Sequence, residues 1–281
     1  MNCLICGSPK AKDIFLEDEI FVQRCLNCRH VYSSYSGQDN FAGYFSDDVS
    51  TENHFWWREA HNNIFQTFRK FFLYGGSGRL LDFGCGLGYF LASIKLDQNC
   101  SQWTAQGVEI SAPACDYAKT KLGLLDIHCG TLSGAVYQKN YFNIVTMWDV
   151  IEHLPDPRPT LKEIRELLDS GGIIFLATPN INVQLPKARL KKILKRGRGG
   201  HYLEARDHLH NYSPTTMRRL LGECGFKNIT FLQLPPIDSV SGSRNKYLRF
   251  VKKLWHQLAK TIFFLSFGRL NFNNLYVVAY K

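Results

Sequence analysis

No stretch of this 281-residue chain reaches about 18 consecutive apolar residues, so the sequence holds no transmembrane helix. The first residues, Met1 to Cys6, lack the basic segment followed by an apolar one that marks a secretory leader, and a cytoplasmic location is the expectation. Acidic residues are scarce, with 24 Asp and Glu against 34 Lys and Arg and a formal net charge of +10. Much of the excess lies in Lys187–Arg198 and Lys246–Lys260. That balance admits nucleic acid, an anionic membrane surface or an acidic substrate. In such a compartment the nine cysteines point to metal or buried thiols, not disulfides. What is plentiful is apolar residue, 45% of the chain, enough for one full α/β domain and a small satellite.

The most informative stretch is Arg79–Leu91. Leu80 and Leu81 enter Asp82, then Gly84, Gly86 and Gly88 alternate, and an apolar helical pattern follows. That is a buried strand, a tight turn and a helix start. Gly84 permits a backbone angle that a side chain forbids. Gly86 lets a ligand come up against bare peptide, and Gly88 lets the helix pack close to the strand. The spacing is G-x-G-x-G, whereas the pyrophosphate fingerprint is G-x-G-x-x-G. Asp82 would repel a pyrophosphate and suits a ligand carrying an ammonium group. A glycine-rich turn in some other α/β domain is the competing reading.

Downstream, strand and helix patterns alternate. Trp103–Val108 is a strand with Glu109 at its tip and Ile110 next to it. Glu109 follows Gly88 at about the 20-residue spacing that brings an acid to a ribose diol. Ser111 is an N-cap with Pro113 in the first turn. Leu125–His128 is a third strand, leading into Gly130, Thr131 and Leu132. Phe142–Met147 is a fourth, leading into Trp148, Asp149, Glu152 and His153. Asp156 caps a helix that begins at Pro157, continues through Leu161–Leu168 and stops at Gly171 and Gly172. Ile173–Ala177 is a fifth strand, ending at Thr178, Pro179 and Asn180. Ligands of open α/β sheets lie at the carboxyl ends of the strands, which gathers these polar residues along one edge.

At the N-terminus, Cys3-x-x-Cys6-Gly7 and Cys25-x-x-Cys28 supply four thiolates for a tetrahedral Zn²⁺. Between them, Asp13–Leu16 and Ile20–Arg24 make a hairpin, and the whole reads as a zinc ribbon. Four thiolates leave no position for water, so this zinc is structural. The organisation expected is residues 1–36 as the ribbon, 37–75 as linker and helix, and 76–281 as the main domain. Within 37–75, Trp57, His61, Ile64, Phe65, Phe68, Phe71 and Phe72 fall at helical spacing. Pro186–Gly200 is either a solvated basic loop or an anion-binding one. Ser213 caps a helix with Pro214 in its first turn. Phe226–Leu234 and Asn274–Tyr280 are the last strands. Lys246–Phe267 alternates bases with large apolar residues, and packing in the core is expected over peripheral membrane contact.

The glycine turn with Asp82, the acid-tipped strand, Asp149-Val-Ile-Glu152-His153-Leu-Pro-Asp-Pro157 and the late His208-Leu-His210-Asn-Tyr-Ser-Pro214 resemble the class I S-adenosylmethionine (SAM) methyltransferases, in particular the small-molecule group related to ubiquinone-biosynthesis O-methyltransferases. The resemblance covers residues 54–281. The ribbon resembles metal modules on bacterial members of cell-surface polysaccharide and antibiotic-sugar pathways. The implied fold is a doubly wound, Rossmann-like α/β sheet of seven strands, mostly parallel with the last antiparallel. The implied cofactor contacts are Asp82, Gly84, Cys85, Gly86, Gly88, Glu109, Ile110, Thr131, Leu132, Trp148 and Asp149. Relatives carry an acid where this chain has Thr131, so a hydroxyl or backbone contact replaces it at the adenine. The helix containing Trp56, Trp57 and Arg58 is implied as a lid over SAM. The implied reaction is in-line methyl transfer to a small-molecule or glycan acceptor, with His153 as first choice of base, then His208 and His210. Glu152 and His153 also match, with Asp149, the acid-x-x-Glu-His run that holds a catalytic divalent metal in relatives. Nucleic acid is not the expected acceptor. The Asn/Asp-Pro-Pro-aromatic run of base methyltransferases is missing after the fourth strand, and the basic loop lacks interleaved aromatics. An RNA or protein methyltransferase and a non-catalytic SAM-binding protein are the rival readings.

Overall fold

Alternating apolar and polar residues at the N-terminus pair β1 (Ala11–Glu17) with β2 (Ile20–Cys25). Their two-residue turn holds Asp18 and Glu19 at φ 45° and 66°, the left-handed geometry that matches strand twist in a tight hairpin. β3 (Val31–Ser33) adds antiparallel to β2. The chain continues through α1 (Thr51–Phe72), β4 (Gly78–Phe83), α2 (Tyr89–Lys95), β5 (Trp103–Glu109), α3 (Ala112–Leu122), β6 (Ile127–Cys129), β7 (Phe142–Trp148), α4 (Pro157–Leu167), β8 (Leu168–Thr178) and α5 (Ile181–Leu194). Then come β9 (His210–Asn211), α6 (Pro214–Glu223), β10 (Lys227–Leu232), α7 (Lys246–Leu265) and β11 (Leu275–Tyr280). A computed structural model describes residues 2–35, 51–194, 202–235 and 246–281, without the side chains of 51–57 and 246–249. Most of the expected linker, the side chains of Trp56 and Trp57, and Lys195, Arg196 and Arg198 lie outside the described residues.

The main sheet has seven strands in the order β10-β11-β8-β7-β4-β5-β6. β8, β7, β4, β5 and β6 are mutually parallel, and β11 is antiparallel to both its neighbours. This is the doubly wound α/β sheet expected from the sequence. The strands are buried on both faces, and the two-residue period sends successive side chains to opposite cores. Leu81, Val145, Met147, Ile174 and Leu176 join one core, with α4 and α6. Leu80, Ile144, Phe175 and Ala177 join the other, with α1, α2 and α3. In the second, Phe65, Phe68, Phe90, Trp148 and Phe175 cluster with ring centroids 4.8–5.6 Å apart. Each such pair adds about 0.5–1.5 kcal/mol beyond area burial. Among the described residues no helix is long and apolar enough to cross a membrane.

Four local expectations are corrected. The helix before Gly171 and Gly172 ends at Leu167, and the glycines lie inside β8. There Gly171, at φ 78°, forms a bulge between the pairs Phe142–Leu168 and Ile144–Ile173. Ser111 occupies the N-cap of α3, but its hydroxyl makes no cap bond. The basic segment is no loop up to residue 194. It is the end of α5, and Pro186 sits in its interior. Lys246–Leu265 is a helix but is not packed in the core. Phe250, Leu254 and Leu265 are 63%, 61% and 77% exposed.

The cysteine hairpin is bound to the main domain. Its sheet has four strands, β1-β2-β3-β9, and the fourth comes from residues 210–211. Phe15, Val22 and Val31 pack with Ile181, Leu185 and Ala188 of α5. α5 follows β8 directly, so the apolar face of this helix has a partner the sequence pattern did not name. The buried Glu17 carboxylate accepts from the backbone N–H of Tyr202 at 2.6 Å, Leu203 at 2.7 Å and Glu204 at 3.3 Å. Glu17→Ala strands these donors and is expected to lower stability by about 2–4 kcal/mol, read as a fall in the denaturation midpoint. An unchanged midpoint refutes the role given to Glu17.

Candidate active site

β4 delivers Asp82 and the glycine turn to the carboxyl edge of the sheet. Gly84, Gly86 and Gly88 have φ of 70°, 52° and 79°, a region that β-carbons disfavour. At Gly84 a Cβ would also meet Val150 Cγ2 at 2.6 Å. At Gly88 the close approach is to Leu124 and to Ala118 of α3, at 2.6 and 3.1 Å, and not to the preceding strand as expected. The turn's amides are used inside the fold. Gly84 and Cys85 N–H donate to Val108 O at 2.8 and 3.1 Å, and Gly88 N–H to Cys85 O at 2.9 Å. Gly86 N–H donates to Glu109 Oε2 at 2.7 Å. These amides are not aimed outward as a phosphate cradle, which agrees with the spacing argument against a dinucleotide.

The acids of this edge are buried. Asp82 is 1% exposed and accepts from Thr146 Oγ1 at 2.7 Å. Burial, with help from the charge of Glu109 and against the Thr146 bond, pushes its carboxyl up to about 8. Glu109 is also buried, and its carboxylate takes N–H groups from Gly86 and, at 2.9 Å, Ser111. Burial raises its pKa, and those amides oppose the rise. A buried acid pushed toward its neutral form is a site that gains from an incoming cation. The donor set therefore fits a ligand with an ammonium or sulfonium charge and a hydroxylated sugar. Ile110, 38% exposed, stands at the same tip. Thr131 Oγ1 accepts from Gly134 N–H at 3.3 Å and lies 3.4 Å from Ser133 Oγ, while Leu132 is buried. Cys85 is buried against Gly107.

β7 ends in Trp148, whose ring belongs to the aromatic cluster, with its Nε1 buried and without an acceptor. The following Asp149 has φ 52°, an unusual angle for a non-glycine residue. Its Oδ2 lies 3.3 Å from His61 Nε2 on α1. His61 is the residue that the sequence reading left among core positions. The signal available was a polar ring recurring on an otherwise apolar helix face. Glu152 is fully buried, accepts from Thr178 Oγ1 at 2.9 Å, and has Oε1 without a partner. Burial, and then the charge of Asp149, holds its carboxyl well above the usual range. His153 Nδ1 is 2.9 Å from Asp207 O, so this nitrogen carries the proton and the lone pair is on Nε2. Its ring meets His208 edge-on at 4.9 Å. Burial, followed by the His208 charge, pushes His153 below the ordinary imidazole value. Ligand atoms of Glu152, His153 and His208 lie within 4.8 Å of one another.

His210 is elsewhere. Its Nδ1 is 3.2 Å from His30 Nε2 and its Nε2 is 3.1 Å from Pro155 O. Its backbone N–H donates to Glu152 O at 3.0 Å. Both ring nitrogens are engaged in joining the hairpin to the segment that carries Glu152.

The four cysteines converge on two equivalent knuckles. Gly7 N–H bonds Cys3 O and Cys3 N–H bonds Ser8 O, while Arg29 N–H bonds Cys25 O and Cys25 N–H bonds His30 O. Gly7 and Arg29 share φ near +65°, 70° and 64° respectively. Cys3 and Cys28 Sγ are 3.5 Å apart, as are those of Cys6 and Cys25, and all four lie within 4.8 Å. A tetrahedron with metal–sulfur bonds of about 2.3 Å has edges close to these separations. Burial raises the Cys3 and Cys28 thiols, so a cation is needed for four thiolates to coexist.

Residues 56–230, more than half of the chain, match the family described as a methyltransferase domain. Over 103 residues the chain is 30% identical to a ubiquinone biosynthesis O-methyltransferase of Parvibaculum lavamentivorans, covering 36% of this chain and 40% of that one. Over 174 residues it is 27% identical to the protein of the same name from Nitrosospira multiformis, covering 57% and 68%. Phosphoethanolamine N-methyltransferase 2 of Haemonchus contortus, solved with S-adenosyl-L-methionine, has a TM-score of 0.56 and 15% identity, covering 89% of this chain and 63% of that one. At that identity the likeness is one of fold.

The buried Asp82 gives a pH signature. Its folded value of about 8 lies above its unfolded value of 3.8, so the ligand-free fold holds a proton that the unfolded chain releases. Stability is therefore lost from this group as pH rises between those values. Asp82→Asn is expected to raise the thermal midpoint of ligand-free protein at pH 8, with the gain shrinking as pH approaches 4. A constant difference across that range refutes the assignment.

Proposed function

Because the chain belongs to the methyltransferase-domain family and is a SAM-dependent methyltransferase, we propose that it methylates an oxygen of a small-molecule acceptor, a sugar or cell-surface glycan precursor, with His153 taking the hydroxyl proton. When bound, SAM supplies a methyl group on a sulfonium that is already a good leaving group. The chain's part is to hold both partners in line and to remove a proton. Glu109, its carboxylate steadied by Gly86 and Ser111, accepts from the ribose hydroxyls. Asp82 answers the ammonium charge. Ile110, Thr131 and Leu132 border the adenine. His61, on α1, braces Asp149 and so supports a covering role for that helix.

The observation that carries the reading is the His153–Asp207 bond, which fixes the ring in the tautomer with its proton on Nδ1. Its lowered pKa keeps the ring neutral near pH 7, the form a base needs. The name O-methyltransferase on the two relatives supports oxygen as the acceptor atom. The cysteine module supports a glycan pathway through its resemblance to modules on enzymes of that kind. We assign the Cys3, Cys6, Cys25 and Cys28 cluster a structural Zn²⁺.

A second reading is favoured by the convergence of Glu152, His153 and His208. Those three would hold a divalent cation that orients the acceptor hydroxyl. Turnover that rises with added Mg²⁺ or Mn²⁺ and falls in Glu152→Gln and His208→Ala selects it. Turnover independent of added metal selects His153 as the base.

His153→Ala is expected to lower kcat by about 10²-fold or more with SAM affinity unchanged, measured with acceptor found by incubating labelled SAM with cell lysate and locating the methylated mass. Full turnover in that variant removes His153 from the chemistry. Elemental analysis is expected to return one zinc per chain, and Cys6→Ser to lose it together with thermal stability. Protein that is folded and zinc-free refutes the metal assignment.

A further inference from the structure

α7 is turned inside out relative to a core helix. His256 and Ala259, three residues apart, face the protein at 8% and 1% exposure, and Phe263 on the same side packs against the core. On the opposite side Phe250, Leu254, Trp255 and Leu258 are 63%, 61%, 52% and 51% exposed. The i, i+4, i+8 spacing of Phe250, Leu254 and Leu258 makes that apolar side one continuous stripe. The helix carries Lys246, Arg249, Lys252, Lys253 and Lys260 and no acid. Lys252, Lys253 and Lys260 are exposed, and on helical geometry Lys253 and Lys260 line one edge of the stripe, about 100° and 120° round the axis from Leu254. On α5, Lys187 lies within electrostatic reach of both Lys191 and Lys252, so the basic field continues onto that helix.

We propose that the outward face of α7 seats on an anionic lipid surface, lying in the plane of the interface. A basic helix with an apolar stripe of Phe, Leu and Trp has the composition of an interfacial helix, and 20 residues give about 30 Å of contact length. The helix does not span the bilayer. Charge selects the occupant. Two copies of α7 packed stripe to stripe would set the Lys253 and Lys260 edges of both helices beside the seam, with no acid on either helix to offset them. An anionic headgroup layer offsets them, and each base near such a surface adds attraction that salt weakens. The buried side of α7 is tied to the strand-tip edge. His256 bonds Asn273, and Asn273 O and Asn271 O both accept from Asn180 Nδ2 at 3.0 Å, just beyond β8. Seating α7 on lipid therefore keeps the carboxyl edge of the sheet near that surface.

The test is co-sedimentation of the full chain with sucrose-loaded vesicles of phosphatidylglycerol and phosphatidylcholine, against vesicles of phosphatidylcholine alone. Binding is expected to the anionic vesicles, to fall at least ~10-fold between low and high salt, and to fall at least ~10-fold in Leu254→Glu/Leu258→Glu. SAM binding by that variant is expected to be unchanged, which shows that it is folded. No pelleting with either vesicle, equal binding to both, or unchanged binding by the double variant overturns the proposal. So does a lipid-free dimer in sedimentation velocity that the double variant dissolves, since a second copy then covers the stripe.

Discussion

Three carboxyl groups buried at one edge of the parallel sheet set the terms for the rest of the molecule. Asp82, Glu109 and Glu152 are all below 10% exposure, and burial raises the pKa of each. A sheet can hold acids in that state because burial favours their neutral form and local donors partly satisfy them. Thr146, Thr178 and the amides of Gly86 and Ser111 are those donors. The glycine turn exists to make them reachable. Its left-handed backbone lets Gly86 reach across to Glu109 while Gly84 clears Val150. An edge of acids raised by burial gains from an incoming positive charge, and a sulfonium cofactor with a free amino group is a cation of that kind.

Much of this was legible in the sequence because it rests on local rules. A strand that is apolar on both faces, a G-x-G-x-G turn and an acid at the next strand tip each follow from backbone sterics and a two-residue period. So do the paired cysteine knuckles and the cap–proline starts of α4 and α6. What escaped depends on contacts between distant segments. His61 looked like a core position because only the fold brings Asp149 to it. Trp148 read as a cofactor contact from its neighbours in sequence, and only the fold brings four aromatic rings from three elements against its indole. Gly171 and Gly172 read as a helix stop, and nothing local announces that β8 begins before them with a bulge. α7 read as core because its apolar residues are many. Periodicity locates a stripe but does not say which way it faces.

The histidines divide by the same logic. His153, on the segment that leaves β7, meets His208, on the segment that enters β9, edge-on beside Glu152. His210 is only two residues past His208, but His208 lies between a turn and the strand that begins at His210, so the two rings do not share a strand face, and His210 stacks on His30 at 5.4 Å among Tyr32 and Tyr212. One short stretch therefore serves the site with one ring and fastens the hairpin with the other.

That fastening has a consequence for the order in which the protein is made. His30 and His210 are 180 positions apart, and Tyr32 pairs with His210 across the same seam. The cysteine hairpin leaves the ribosome before the main sheet, and the strand that completes its own sheet emerges only after most of that main sheet has been synthesised. Until then β3 presents an open edge, which is the kind of surface that invites pairing with another chain. The nascent hairpin must wait, and its early closure around a metal would shorten the search that the late strand has to make.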